Sequence, residues 1–323
     1  SAVAFNVEIF ILFRFLGGIA VGASSVVAPM YISEVSPAFM RGRMTALFQF
    51  NVIFGILIAY ISNYALRNMG EDAWRWMLGV GGLPAVAYFF LLFIVPESPR
   101  FLIKKNKTDA ALAVLRKIET RNTEAEMEEI RQSMSGTRDK LFSGKYARPI
   151  LIAFLVAMFN QLSGINAILY YAPRIFELTG LSTADAMLQP VLIGITNGIF
   201  TMLGLIVIDK VGRKKLLIAG SVGMAVCLGL TAKAFHDQSF HGYSLLIFLT
   251  GYIIFFAFST GAVIWVLISE VFPNAVRGQG QSLGSFTHWL FAAIITFIFP
   301  VMVEKSENGA TYAFMLFSVA MVL

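Results

Sequence analysis

The chain has 323 residues, 57% of them hydrophobic and only 14% charged, with a mean hydropathy of +0.74. Soluble domains carry roughly 25% charged residues, so a water-soluble globule is excluded. The net charge of +6 does not mark a nucleic-acid face: 19 of the 25 Lys and Arg fall in four alternate loops, 34–44, 96–149, 209–215 and 269–280, which the positive-inside rule assigns to the cytoplasm.

Nine apolar segments follow in order: 7–33, 45–66, 75–95, 149–172, 187–208, 215–235, 244–268, 281–303 and 311–323. Runs of about 20 apolar residues suit helices crossing a bilayer, and their lack of strict alternation excludes barrel strands. The fold class is therefore an all-α polytopic membrane protein. The segment 7–33 carries Arg14, a charge inside an apolar run that calls for a partner or a water-filled cavity. On 45–66, Gln49, Ile56, Tyr60 and Asn63 recur on one helical face.

The stretch 96–148 is the one long hydrophilic segment. Leu112, Leu115 and Ile118, then Met127, Ile130 and Met134, repeat at helical spacing, and Thr123 with Glu126 has capping-box spacing. Two or three short amphipathic helices against the cytoplasmic face are expected. On 149–172, Asn160, Gln161 and Asn166 cannot share a face of a straight helix, because five residues rotate about 140°. Gly164 between them predicts a break that lets the amides converge.

The segment 187–208 aligns Gly194, Asn197, Thr201 and Gly204 on one face. The lone cysteine, Cys227, lies within 215–235 and excludes an internal disulfide. On 281–303, Ser282, Ser285, Trp289 and Thr296 share a face, with His288 beside them. The last segment is too short to span.

One block occurs twice. Ile32-Ser-Glu-Val-Ser-Pro37 with Arg41-Gly42 returns as Ile268-Ser-Glu-Val-Phe-Pro273 with Arg277-Gly278. Such an offset indicates a duplicated half-protein. Six segments lie downstream of the long loop and three upstream, so equivalent halves imply about three further N-terminal helices. Glu34, Arg41, Glu270 and Arg277, with Glu97 and Arg100 in Pro-Glu-Ser-Pro-Arg and Asp209 and Arg213 in Asp-Lys-Val-Gly-Arg, form charged clusters at helix ends. They are expected to be a cytoplasmic gate of ion pairs that latch in one state and release in another.

These motifs in this order, from Arg14 through Glu34, Arg41, Pro96-Glu-Ser-Pro-Arg100, Gln161-Leu-Ser-Gly-Ile-Asn166, Asp209…Arg213 and Glu270…Arg277, resemble the sugar porter family of the major facilitator superfamily. The resemblance covers the family's helices 4 to 12. It implies two pseudo-symmetric six-helix bundles, the first lacking about three helices here, a central sugar site and alternating access. The domains would be 1–95, the second part of the N-terminal bundle; 96–148, the linker; and 149–323, the C-terminal bundle. By similarity, Gln49, Gln161, Asn166, Asn197 and Trp265 occupy sugar-contacting positions, with Asn160, Tyr171, His288 and Trp289 nearby. A sugar site needs neutral amides and an aromatic face, which these residues supply.

Three residues depart from the family pattern. Asn160 stands where glutamine is common, His288 where glutamine or asparagine is usual, and Gly261-Ala-Val-Ile-Trp265 lacks a proline before the tryptophan. Ile56 is similar to the glucose transporters and tilts the reading toward hexoses. In proton-coupled relatives Arg14 would pair with an aspartate on a first helix that this chain does not contain. His288 is a second candidate for titration.

The expected function is transport of a monosaccharide, by proton symport or by facilitated diffusion, in a cell membrane, as a monomer contacting lipid, without cofactor, metal or nucleic acid. The competing readings are a sugar-sensing receptor on the same fold and a polyol uniporter. An enzyme is disfavoured, because His236, His241, His288 and Cys227 form no catalytic constellation.

Overall fold

The computed structural model describes residues 1–323 except 38–39, 119–122, 136–138, 241–242 and 274, and except the side chains of some helical residues, among them Arg41, Glu126, Met134, Asp209 and Ser269. The expectations for Arg41, Asp209, Glu126, Met134 and His241 therefore lie outside the described residues. Among the described residues the structure is helical, with no strand. It divides into two compact units.

The first unit holds 1–52, 66–140 and 274–276. Helix α1 (Val7–Val35) starts at Asn6, whose side-chain oxygen accepts from the Ile9 amide at 2.8 Å and satisfies one of the free N-terminal donors. Helix α2 (Arg41–Leu66) begins in this unit, and its part from Ile53 belongs to the other. The expected segment 75–95 divides at Gly81 into α3 (Ala73–Val80) and α4 (Gly82–Leu91). Pro84 has no amide hydrogen for the carbonyl four residues back, and Gly81-Gly82 supply the interruption. Arg75 donates to the carbonyls of Ala2 at 3.0 Å and Ala4 at 2.6 Å, which fastens the first residues to α3.

The hydrophilic stretch forms three short helices, α5 (Pro99–Lys104), α6 (Thr108–Ile118) and α7 (Thr123–Ser135). Ser98 caps α5 by accepting from the Phe101 amide, and Pro99 takes the first helical position, where no amide hydrogen is needed. Leu115 and Ile130 are buried while Arg116, Lys117, Glu124 and Glu128 between them are exposed, as the amphipathic spacing requires.

The second unit holds 53–65, 141–273 and 277–323. Its helices are α8 (Ala147–Leu162), α9 (Ile165–Glu177), α10 (Thr183–Val211), α11 (Arg213–His236), α12 (Ser244–Phe258), α13 (Thr260–Val271), α14 (Arg277–Lys305) and α15 (Gly309–Val322). A continuous apolar core runs through it, with Ile168, Phe176, Met224, Leu228, Leu249, Tyr252, Phe314 and Phe317 nearly inaccessible. Small residues let the backbones approach where lipid provides no hydrophobic drive between helices. A Cβ on Gly204 would stand 3.0 Å from the Phe258 carbonyl oxygen, and one on Gly223 would enter the Phe255 ring.

Two spans are interrupted. Between α8 and α9, Gly164 adopts φ +82°, a left-handed conformation that glycine enters without Cβ strain. That is the break predicted from the amides. Between α12 and α13 the chain leaves helical geometry at Ser259, with φ −115° and ψ −96°. No proline is present. Instead the Ser259 hydroxyl donates to the Phe255 carbonyl at 2.5 Å, and Gly220 of α11 leaves the space into which Ser259 fits.

Among the described residues seven helical stretches are long and apolar enough to cross a membrane: Val7–Val35, Leu47–Leu66, Ala147–Glu177, Asp185–Ile208, Arg213–His236, Ser244–Ile268 and Arg277–Lys305. Helix α15 is apolar but shorter, and the segment 75–95 is divided between α3 and α4, so among the described residues the nine expected segments become seven full spans and shorter pieces. Phe15, Ile206 and Phe297 on these spans are 65%, 64% and 77% exposed. Large apolar side chains turned outward along whole helices are matched to hydrocarbon rather than to water.

Candidate functional site

The break at Gly164 brings together amides that a straight helix would separate. Gln161 is the centre. Its amide nitrogen donates to Asn160 Oδ1 at 3.1 Å and lies 3.1 Å from both ring nitrogens of His288 on α14. Its carbonyl oxygen accepts from Asn166 Nδ2 at 2.9 Å, a bond that crosses the break from α9 to α8. The Trp265 ring of α13 lies 4.9 Å from the imidazole, and the Trp289 ring lies edge-on at 5.4 Å. The cluster thus combines four neutral hydrogen-bonding groups with an indole wall in the middle of helices that cross the bilayer.

Accessibility separates its members. Asn160 and Gln161 are 2% and 1% exposed, whereas Asn166, His288, Trp265 and Trp289 are partly open. Beneath the amides, the Ser163 hydroxyl donates to the Asn160 carbonyl at 2.6 Å and accepts from Tyr252 at 3.2 Å. Ser163 and Tyr252 escaped the reading of the sequence. The signal available was a serine beside the breaking glycine and a tyrosine inside a largely apolar run, both of which need partners when buried.

The remaining candidates are dispersed. Asn197, 4% exposed on α10, accepts from Thr201 of its own helix at 3.5 Å. Tyr171 donates to the Thr296 carbonyl at 3.0 Å and packs on Phe299, tying α9 to α14. Tyr60 of α2 donates to the Leu169 carbonyl at 2.6 Å, and Ile56 packs against the core. Gln49 belongs to the first unit and is half-buried there; Arg14, in the same unit, is exposed on α1.

The two copies of the repeated block have different partners. Glu34 accepts a short hydrogen bond from the Ser98 hydroxyl, and Tyr31 donates to the Pro96 carbonyl at 2.6 Å, so the end of α1 is joined to Pro-Glu-Ser-Pro-Arg. Glu97 and Arg100 of that motif are exposed. Glu270 forms an ion pair with Arg213 at 2.9 Å, linking the end of α13 to the start of α11. Arg277, seven residues after Glu270, turns instead to the Phe272 carbonyl at 3.4 Å, because Pro273 breaks the helix between them.

The family model described as "Sugar (and other) transporter" matches residues 1–323. The chain belongs to this sugar transporter family. It is 38% identical over 322 residues to the D-xylose-proton symporter of Escherichia coli (strain K12), covering 94% of this chain and 65% of that protein. It is 34% identical over 334 residues to the arabinose-proton symporter of Bacillus subtilis (strain 168), covering 100% of this chain and 72% of that one. The chain thus spans just under two thirds of the length of the xylose symporter. Among solved structures, the partially occluded inward-open conformation of the xylose transporter XylE from E. coli superposes with a TM-score of 0.86 at 37% identity, covering 97% of this chain and 68% of that one. The chain therefore has the major facilitator fold and is a multi-pass membrane protein.

Proposed function

We propose that the protein carries a monosaccharide, a pentose or hexose, across a cell membrane by alternating access, with proton symport as its coupling. The observation that carries this reading is the amide and imidazole cluster around Gln161, walled by Trp265 and set at a helix break within the bilayer. Neutral donors and acceptors beside an aromatic face suit a ring of hydroxyls with an apolar C–H surface. Relatives named as xylose-, arabinose- and galactose-proton symporters support the substrate class and the coupling.

The sugar site comprises Gln161, Asn160, Asn166, His288, Trp265 and Trp289, with Gln49, Asn197 and Tyr171 completing it in the whole protein. Glu34, Arg41, Glu97, Arg100, Asp209, Arg213, Glu270 and Arg277 form the cytoplasmic gate, and Arg14 takes part in proton coupling. Residues 1–95 and 149–323 belong to two bundles covering the family's helices 4 to 12, joined by the cytoplasmic linker 96–148. The working unit is a monomer in lipid.

Counterflow of labelled D-xylose, L-arabinose, D-galactose and D-glucose into proteoliposomes containing the intact protein tests the reading. Exchange of at least one of them is expected, and an imposed inward proton gradient is expected to drive its accumulation. Exchange without accumulation would replace symport by facilitated diffusion. No exchange would overturn transport and favour a receptor.

A further inference from the structure

At the start of α8, on the side that the positive-inside rule assigns to the cytoplasm, the second unit carries an open-sided groove of about 540 Å³. Its walls are Phe142, Ala147, Ile150, Leu151 and Phe154, from α8 and the segment leading into it, and Leu283 from α14. Phe154 closes the inner end against Phe291 of α14, the two rings edge-on at 6.1 Å. Phe142 and Leu151 are 78% and 56% exposed. None of these side chains carries a hydrogen-bond donor or acceptor, so the groove is no second subsite for a sugar.

An unfilled groove forfeits dispersion contacts along its walls, and in a bilayer the group at hand to fill it is an acyl chain. From Ala147 to Phe154 the wall runs about 10 Å along the helix, within the roughly 15 Å hydrocarbon depth of a single leaflet. The mouth carries charge of one sign. Lys145 and Arg148 flank Ala147 in the chain and are exposed, the Lys145 ammonium lying 5.4 Å from the centroid of the buried Tyr146 ring. No Asp or Glu occurs between Asp139 and Glu177, nor from Arg277 to Val303, so neither wall brings a carboxylate to offset these cations.

We propose that this groove binds one anionic phospholipid of the adjacent leaflet, an acyl chain lying between α8 and α14 and the phosphate meeting Lys145 and Arg148. The apolar walls select a chain, and the two cations select the sign of the headgroup. A zwitterionic lipid fits the walls equally well but brings its own cation to the mouth. A Lys or Arg near a membrane surface is worth about fivefold in affinity for anionic lipid, so two of them outweigh that competition. The inference stands apart from the sugar-site reading, because no residue named for the groove or its mouth belongs to the sugar site or the gate.

The test titrates the intact protein, purified and stripped of lipid in detergent, with phosphatidylglycerol and with phosphatidylcholine of identical chains. Bound lipid is counted by native mass spectrometry. Wild type is expected to retain one phosphatidylglycerol about tenfold more tightly than phosphatidylcholine. Lys145→Gln combined with Arg148→Gln should bring the two lipids to equal affinity at an unchanged melting temperature, since both side chains are exposed. Ala147→Trp fills the groove and should weaken the retained lipid about tenfold although both cations remain; Leu151→Trp takes its place if that variant does not fold. Equal binding of the two lipids to wild type, or a preference that survives loss of both cations, overturns the proposal. So does phosphatidylglycerol binding that neither tryptophan diminishes, because the groove then seats no chain. A dimer mass in place of bound lipid, abolished by Ala147→Trp, would assign the face to a second copy and overturn it too.

Discussion

Gly220 on α11 and Ser259 between α12 and α13 are so close that a Cβ on Gly220 would stand 1.8 Å from the Ser259 hydroxyl oxygen. The span carrying Trp265 therefore bends where a serine fits a gap in the neighbouring helix, with no proline at the bend. Gly220→Ala is expected to destabilise the protein by about 1–3 kcal/mol, the usual cost of overpacking. It should also displace Trp265, six residues beyond the bend. A lowered melting temperature in detergent together with weakened sugar binding is the expected result. A melting change with unaltered binding would show that the bend does not orient α13.

Gly164 gives a second prediction. Its φ of +82° and the Phe317 ring, 2.4 Å from a would-be Cβ, both oppose a side chain. The left-handed conformation alone costs about 1–2 kcal/mol for an L-residue. Gly164→Ala should lower the melting temperature strongly, and adding Phe317→Leu should recover only the part due to the clash. Full recovery in the double variant would mean that the backbone conformation contributes nothing.

The ion pair between Arg213 and Glu270 spans 2.9 Å with both side chains partly in water. Such pairs contribute about 0–1 kcal/mol to stability, so Glu270→Arg should scarcely alter melting. If the pair latches one transport state, the same change should lower turnover. Arg213→Glu added to Glu270→Arg should restore it, whereas Arg277→Glu added to Glu270→Arg should not. Measuring uptake for all three variants separates Arg213 from the arginine that the repeat places nearest in sequence.

Tyr252 donates to Ser163, which donates onward to the Asn160 carbonyl. Tyr252→Phe removes one buried hydrogen bond and should reduce stability by about 0.5–1.5 kcal/mol. Ser163→Ala removes the link that touches the amide-bearing turn, so it should weaken sugar binding more than Tyr252→Phe does. Equal effects of the two on binding would show that the chain of hydroxyls acts on packing alone.

Local chemistry made part of this architecture legible in the sequence. Gly164 between amides announced its break, and the spacing of Leu112, Leu115 and Ile130 announced helices with one buried side. The repeat located both glutamates. It did not locate their partners, because Glu270 meets Arg213 from another helix and Glu34 meets Ser98, 64 residues later. The bend at Ser259 was equally hidden. A serine ordinarily returns its hydrogen to a carbonyl one turn back without ending a helix. Here a glycine 39 residues earlier decides the outcome, and no window of sequence contains both. The division at Gly81 was visible in Gly81-Gly82 and Pro84, but a uniformly apolar stretch masked it.

The hydrogen bond from Asn166 to Gln161 is the tie across the α8–α9 break. Under the sugar-site reading, a hydroxyl that took the Asn166 hydrogen bonded to Gln161, rather than the second hydrogen on Nδ2, would exchange this internal bond for an external one, with little net gain in bonding. Occupancy would then loosen α9 from α8 at the moment of capture. Modest affinity follows directly from such an exchange, and it serves a carrier well: a cargo that merely substitutes for an existing bond is readily let go on the far side.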